Sequence, residues 1–388
     1  MDPRTIRPGG TPLTSLATGA GWFFVRLVFP SLPGKMDKIM NSEEVARRAK
    51  VSSATVSRVL NNTSFVKNTT RTRVMKTIEE LKYHPNLHAR SLAAGKSRSI
   101  GVIVSNIENP FFLDIYKAVE TGAHARGYEV IMANTDYDSE QLVTSIRLMI
   151  GRRVAGLAAI VSEMAPELID ELNGNRIPVV FYDVGAPRQN ITNIRLNYRR
   201  GMEKLTDYLY TLGHRRLGFV GHHAMLGPIN ERVNVVLESA ARYPDVEVHV
   251  AADIDCLEGG CRATRTLLSA HPELTAIVCV NDFMAVGALR EIRERGLRVP
   301  EDISVTGFDN VKLALFCYPA LTTVHIPRDQ IGQIICDSLI PNEKTMVEHE
   351  ILIDPELVLR DSTGPARSCL NVETNGGAGE RRPTVSRW

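Results

Sequence analysis

Residues 42–61, SEEVARRAKVSSATVSRVLN, decide how the rest of this 388-residue chain is read. Val45, Ala46 and Ala49 share one face of a 3.6-period helix, and Val56, Val59 and Leu60 do the same after a three-residue break. Two short helices with facing apolar stripes and a turn between them form a helix-turn-helix. Ser42 is the expected cap of the first helix, with Glu43 and Glu44 favourable beside its positive end, and Ser52 the expected cap of the second, across Lys50-Val51. The second helix then presents Ser53, Ala54, Ser57 and Arg58 to a major groove. Arg58 is the candidate for direct base readout, because a guanidinium pairs bidentately with guanine O6 and N7. An ordinary helical hairpin with one surface arginine is the competing interpretation of this segment alone.

Charge separates the two interpretations. The chain as a whole carries only +2. Residues 40–98 hold twelve Lys or Arg against four Glu, +8, whereas residues 99–364 hold 25 basic and 36 acidic residues, −11. A basic head therefore precedes an acidic body. The head can neutralise phosphates with salt-dependent affinity, and the body is repelled from the duplex. Asn68 to Tyr83 continues as a third helix, with Val74, Ile78 and Leu81 at i, i+4 and i+7, so the head (40–84) is all-α. Residues 85–98, which include PNLHARSLAAGK, are too short for a stable free helix. They read either as a plain tether or as a hinge that becomes helical on DNA and pushes an apolar wedge into the minor groove.

VSSATVSRVLNN, then ELKYHPNLHARSLAAGKSRSIGVIV, then NIENPFFLDIYKAVE together resemble the lactose/galactose repressor family of bacterial transcription regulators, from about Met40 to about Pro365. The resemblance implies a homodimeric, cytoplasmic, nucleoid-associated repressor on a pseudo-palindromic double-stranded operator, its affinity set by a small molecule in the body. Ser53, Ala54 and Arg58 match the family's base-reading positions and Leu92 its intercalating leucine. The full candidate DNA-contacting set is Ser52, Ser53, Ala54, Thr55, Ser57, Arg58, Asn61, Asn86, Arg90 and Leu92.

The body reads independently as α/β. Apolar runs suited to buried parallel strands (100–104, 130–133, 155–161, 179–182, 217–220, 246–250, 276–280, 303–306) alternate with helical stretches (111–126, 140–152, 198–212, 257–269, 282–295). Its roughly 265 residues exceed one compact sheet, so two doubly wound lobes are expected. In the family these lobes resemble periplasmic sugar-binding proteins. Ligands of such sheets bind at the carboxyl ends of strands, where Phe111, Phe112, Asp183, Asn281 and Asp309 fall, with Arg232 in a loop or helix start. The carboxylates, amide and guanidinium can orient a polyol, and an aromatic face can pack on a sugar ring or a base. The same positions match the family's effector contacts, Phe112 as the stacking ring. Each taken singly also reads as a turn cap, a surface ion pair or lobe packing.

Two departures border this set. Arg232-Val233-Asn234-Val235 lacks the family's usual glycine, and Leu196 occupies a commonly acidic position. Asn281 leans towards a sugar effector. A purine-responsive repressor, and a sugar-binding sensor without an operator, are the alternatives.

Enzymatic chemistry and cofactors are not indicated. The chain has no glycine-rich phosphate loop, no Gly-x-Ser-x-Gly elbow and no HExxH, and its ten histidines show no metal-ligand spacing. His222-His223 reads as a polar loop pair. The cysteines at 256, 261, 279, 317, 336 and 369 form no CxxC, and Cys279 and Cys336 sit in apolar segments, consistent with a reducing cytoplasm. Residues 1–39 contain Gly21 to Phe29, about half a membrane span and interrupted by Arg26, so no membrane association is expected. They are expected to be a start-site artefact ahead of Met36 or Met40, or a disordered arm. Residues 365–388 lack leucine heptads and are expected to be a disordered tail, which favours a dimer over a tail-driven tetramer.

Overall fold

The structure, a computed structural model, describes residues 41–60, 65–83, 97–162, 164, 168–169, 172, 177–183, 190–223, 227–340 and 350–367. Asn61, Asn86, Arg90 and Leu92 lie outside the described residues, as do residues 1–39 and the tail from 368. The chain divides into two units, Met1–Asn86 and Leu87–Trp388.

In the first unit, helices span Ser42–Ala49, Ser53–Leu60 and Asn68–Glu80. Val45, Ala46, Ala49, Val56, Val59, Val74, Leu81 and Tyr83 form their common core. Asn41, not Ser42, caps the first helix. It has extended backbone, and its Oδ1 accepts from Glu44 N at 3.0 Å, whereas Ser42 is already helical. Lys50 ends that helix in the left-handed region (φ 52°), which turns the chain sharply into the second helix. Ser52 then accepts from Thr55 N at 3.2 Å, as expected of a cap. The third helix stops at Glu80, short of Tyr83, because Lys82 adopts φ 48° and Tyr83 N turns back to Ile78 O.

The second unit contains two parallel sheets. Strands β1 (Ser99–Val104), β2 (Glu129–Asn134), β3 (Leu157–Ile160), β4 (Val179–Tyr182), β5 (Ile191–Leu196) and β11 (Glu350–Ile353) form the first, in the order β11-β5-β4-β3-β1-β2. Strands β6 (Arg216–His222), β7 (Glu247–Asp253), β8 (Ala276–Cys279) and β9 (Ser304–Thr306) form the second, ordered β7-β6-β8-β9. A small antiparallel pair, β10 (Thr323–His325) and β12 (Glu356–Val358), accompanies the second sheet. Beyond 326 the chain returns to the first lobe, where the helix Arg328–Leu339 packs on Pro110–Ala125 and β11 pairs with β5. The chain thus crosses between lobes near 197, 326 and 354.

At the crossings Asn197 Nδ2 donates to Asp354 Oδ1 at 2.9 Å. The backbone of Gly201 also comes so close that an added Cβ would lie 2.9 Å from Pro355 Cγ. Within the second lobe, helices Leu257–Ala270 and Asp282–Glu294 touch backbone to backbone. A Cβ on Gly260 would fall 2.1 Å from Met284 O. That approach sets the start of one helix, just after Asp255, beside the start of the other at Asn281.

Candidate functional site

The head presents its candidate residues as a graded surface. Ser52, Ser53, Ala54, Ser57 and Arg58 are exposed on the second helix, while Val56 and Val59 on its opposite face are buried. Ser52 and Thr55 bond to each other through their hydroxyls at 2.9 Å, so their first role is to fix the helix start. Arg71, from the third helix, reaches Val59 O at 3.5 Å and holds the second helix from behind. Thr55 is half-buried, which leaves the Ser53, Ala54, Ser57 and Arg58 face as the part shaped for a groove.

In the body, five of the six candidate effector residues line one cavity between the lobes: Phe111, Phe112, Arg232, Asn281 and Asp309. Its other lining residues include Asn109, Tyr137, Ser162, Tyr182, Tyr198, His222 and Asp255. Asn109 caps the helix Pro110–Ala125 by accepting from Phe111 N at 3.1 Å, which aims both phenylalanines at the cavity, their rings 5.3 Å apart and edge-on. Arg232 lies inside the helix Gly227–Ala240, not in a loop. Its guanidinium sits 4.7 Å from the Tyr198 ring and 4.8 Å from that of Phe308, and Nη1 donates to Val280 O at 2.7 Å. Its Nε is buried without a hydrogen-bond partner among the described residues.

Asp183 is the exception. It lies behind the wall, accepting from the Tyr198 hydroxyl at 2.7 Å and from Leu196 N at 2.8 Å. It therefore orients a lining tyrosine from behind, and is not itself among the lining residues.

Asp255, absent from the sequence-derived set, is the hub of the cleft. From the second lobe Asn281 Nδ2 donates to its Oδ1 at 2.7 Å. From the first lobe Tyr137 OH donates to Oδ2 at 2.7 Å and Asn109 Nδ2 at 3.2 Å, while Asn106 Nδ2 reaches its backbone carbonyl at 2.8 Å. One carboxylate thus joins the lobes directly. His222, at the end of β6, is buried and lines the cavity with Nδ1 unpartnered among the described residues; only His223 behaves as the exposed polar residue expected for both.

Burial shapes the charges. It pushes the Asp309 carboxyl well above the ordinary range, with Arg232 pulling in the opposite direction. Burial likewise raises Asp183 to about 6 against its two hydrogen bonds, and lowers His222, which favours the neutral imidazole. The described lining side chains that can carry full charge at neutral pH are thus one guanidinium and two carboxyls, one of them reluctant to ionise. Such a set offers many donors and acceptors and little attraction for an anion.

The comparisons with known proteins agree with both units. Residues 43–86 match the model for bacterial regulatory proteins, lacI family, and residues 206–363 that for a periplasmic binding protein-like domain. The chain is 36% identical over 335 residues to the HTH-type transcriptional repressor PurR of Pectobacterium atrosepticum, covering 84% of this chain and 98% of that protein. It is 34% identical over 331 residues to PurR of Vibrio cholerae, covering 82% and 97%. Among solved structures, the lac repressor dimer bound to operator and the anti-inducer ONPF matches with a TM-score of 0.74 at 28% identity, over 84% of this chain and 100% of that one. A periplasmic binding protein/LacI transcriptional regulator from Alkaliphilus metalliredigens, complexed with D-xylulofuranose, matches with a TM-score of 0.60 at 27% identity, over 69% and 99%. With a helix-turn-helix head, two parallel α/β lobes and relatives similar over more than four-fifths of its length, the chain belongs to the LacI family of DNA-binding transcriptional repressors, which are not enzymes.

Proposed function

We propose that this repressor binds a pseudo-palindromic operator as a cytoplasmic homodimer, and that a neutral sugar or sugar derivative between its lobes sets the operator affinity. One observation supports the ligand class above all. The cavity pairs Arg232, Asn281, Asp309 and Asp255 with the edge-on phenylalanines, so hydroxyls meet donors and acceptors around a ring while an apolar face packs on Phe112. The two carboxyls disfavour sugar phosphates.

A purine is the second reading, supported by the density of aromatic lining at Phe111, Phe112, Tyr137, Tyr182 and Tyr198. Dimerisation is supported by an exposed apolar segment, with Leu315 57%, Phe316 70% and Tyr318 87% exposed.

A thermal-shift panel on the full chain tests the ligand class, because a molecule that binds only the native state raises its melting temperature. Neutral pentoses and hexoses are expected to raise it, and sugar phosphates are not. A rise confined to purine bases would replace the sugar reading with the second one.

A further inference from the structure

At the amino end of the second lobe's sheet, opposite the cleft, two histidines and two glutamates lie together away from the residues that line the cavity. Edge strand β7 places Glu247 and His249 there, and His271 closes the helix Leu257–Ala270 next to them. The His249 and His271 rings stack with centroids 3.5 Å apart and planes at 18°. Glu273 brings a carboxylate oxygen 3.3 Å from His271 Nδ1, and Glu247 brings one 4.0 Å from His249 Nε2. One ligand atom each from His249, His271 and Glu273 lie within 4.8 Å of one another.

His249 Nε2 is shielded from solvent yet has no hydrogen-bond partner among the described residues. A buried, unsatisfied imidazole nitrogen calls for a physical reason. Helix packing alone would bury an apolar side chain at this position more easily, and a lone ion pair to Glu273 leaves His249 unexplained.

We infer that His249, His271 and Glu273 form a binding site for a divalent transition-metal ion, with zinc the best match. Two imidazoles and one carboxylate are borderline nitrogen and oxygen donors, which suit zinc and not the all-oxygen preference of calcium or magnesium. Ligand bonds of roughly 2.0 to 2.2 Å in a tetrahedron place ligand atoms about 3.4 Å apart. Binding would draw the ligand atoms in from their present spread, the two rings turning out of their parallel stack so that their lone pairs converge. Glu247 or a water completes the fourth position. Because His249 lies on edge strand β7 and His271 and Glu273 on the segment leading to β8, the ion would tie that edge to the approach to a strand on the far side of β6. The signal is invisible in sequence spacing, since a whole helix separates His249 from His271.

The test uses the full chain, stripped with a chelator and titrated with Co²⁺ and then Zn²⁺. One ion per chain, tetrahedral cobalt absorption, micromolar or tighter zinc binding and a zinc-dependent rise in melting temperature are expected. His249→Ala and His271→Ala are each expected to weaken zinc binding at least tenfold and to remove the rise. Glu273→Gln, at a more exposed position, is expected to weaken it as well without risk to the fold. Binding only at millimolar zinc, or tight binding that survives all three substitutions, would overturn the assignment.

Discussion

Replacing Asp255 with alanine is expected to open the lobes. The substitution deletes the acceptor shared by Tyr137, Asn109, Asn106 and Asn281, at 2.7, 3.2, 3.3 and 2.7 Å, and leaves the Asn106 bond to the backbone carbonyl and the Tyr137–His222 ring contact across the cleft. Hydrogen bonds to a charged partner contribute roughly 1.5 to 3 kcal/mol each, so those of Tyr137 and Asn109, which unlike Asn106 have no second bond to Asp255, amount to about 3 to 6 kcal/mol. Opening lets water satisfy the abandoned donors, which reduces the net loss to about 2 to 4 kcal/mol. That corresponds to a shift of about 30- to 1,000-fold in the closed-to-open ratio. Amide hydrogen exchange reads it locally. Residues 105–109 and 254–256 in Asp255→Ala are expected to exchange faster by that order, with the head unchanged. Small-angle scattering should report a larger body. Exchange identical to wild type in both segments would refute the idea that Asp255 holds the lobes together.

Other expectations follow from the same structure. Arg58→Ala is expected to weaken specific operator binding by about 1 to 3 kcal/mol at fixed salt, measured by fluorescence anisotropy, and unchanged binding would remove Arg58 from base readout. Asp309→Ala is expected to abolish the response to ligand while DNA binding persists; a retained response in the same assay would exclude Asp309 from effector recognition. Phe316→Glu is expected to move the sedimentation coefficient towards monomer, and a wild-type value would place the dimer contact elsewhere. For pH, the buried Asp183 carboxyl at about 6 lies above its unfolded value, so its ionisation destabilises the fold increasingly as pH rises from about 4 through 6. The full effect is about 3 kcal/mol, of which about 1 to 2 falls between pH 5 and 7.5. His214, lowered by burial to about 4, acts in the opposite sense, since stability is lost as pH falls from about 6.5 towards 4. Asp183→Asn against wild type at each pH isolates the first term in urea unfolding, and parallel pH profiles would contradict it.

The elements legible in the sequence were those with a strong period or a long apolar run. The three head helices, β1, β4, β6 and β8 all carry such a signal. Strand β5 did not, because ITNIRL buries Thr192 and Asn193 where an apolar run would be sought. Strands β10, β11 and β12 are three or four residues long, and β11 belongs to a lobe that the chain has already left once. In the cleft, residues directly after apolar strands were found, including Asn281 and Asp309. Asp255 escaped because β7 is an edge strand with alternating burial, so its apolar run fades at Val250, short of the true end at Asp253. Asp183 directly follows β4, a position that in sequence points to the cleft. Only the Tyr198 hydroxyl, brought from the next helix, reveals that it stands behind the wall.

The central claim is that one ligand, held between the lobes, controls the grip of the basic head on a duplex. It is tested most directly by selecting genomic fragments with the full chain and measuring their binding at fixed salt with and without the sugar that raises its melting temperature. The account predicts salt-dependent retention of a small set of pseudo-palindromic fragments, and an affinity change of about five- to 150-fold on adding the sugar. Equal retention of random and genomic DNA, or specific binding indifferent to that sugar, would contradict it.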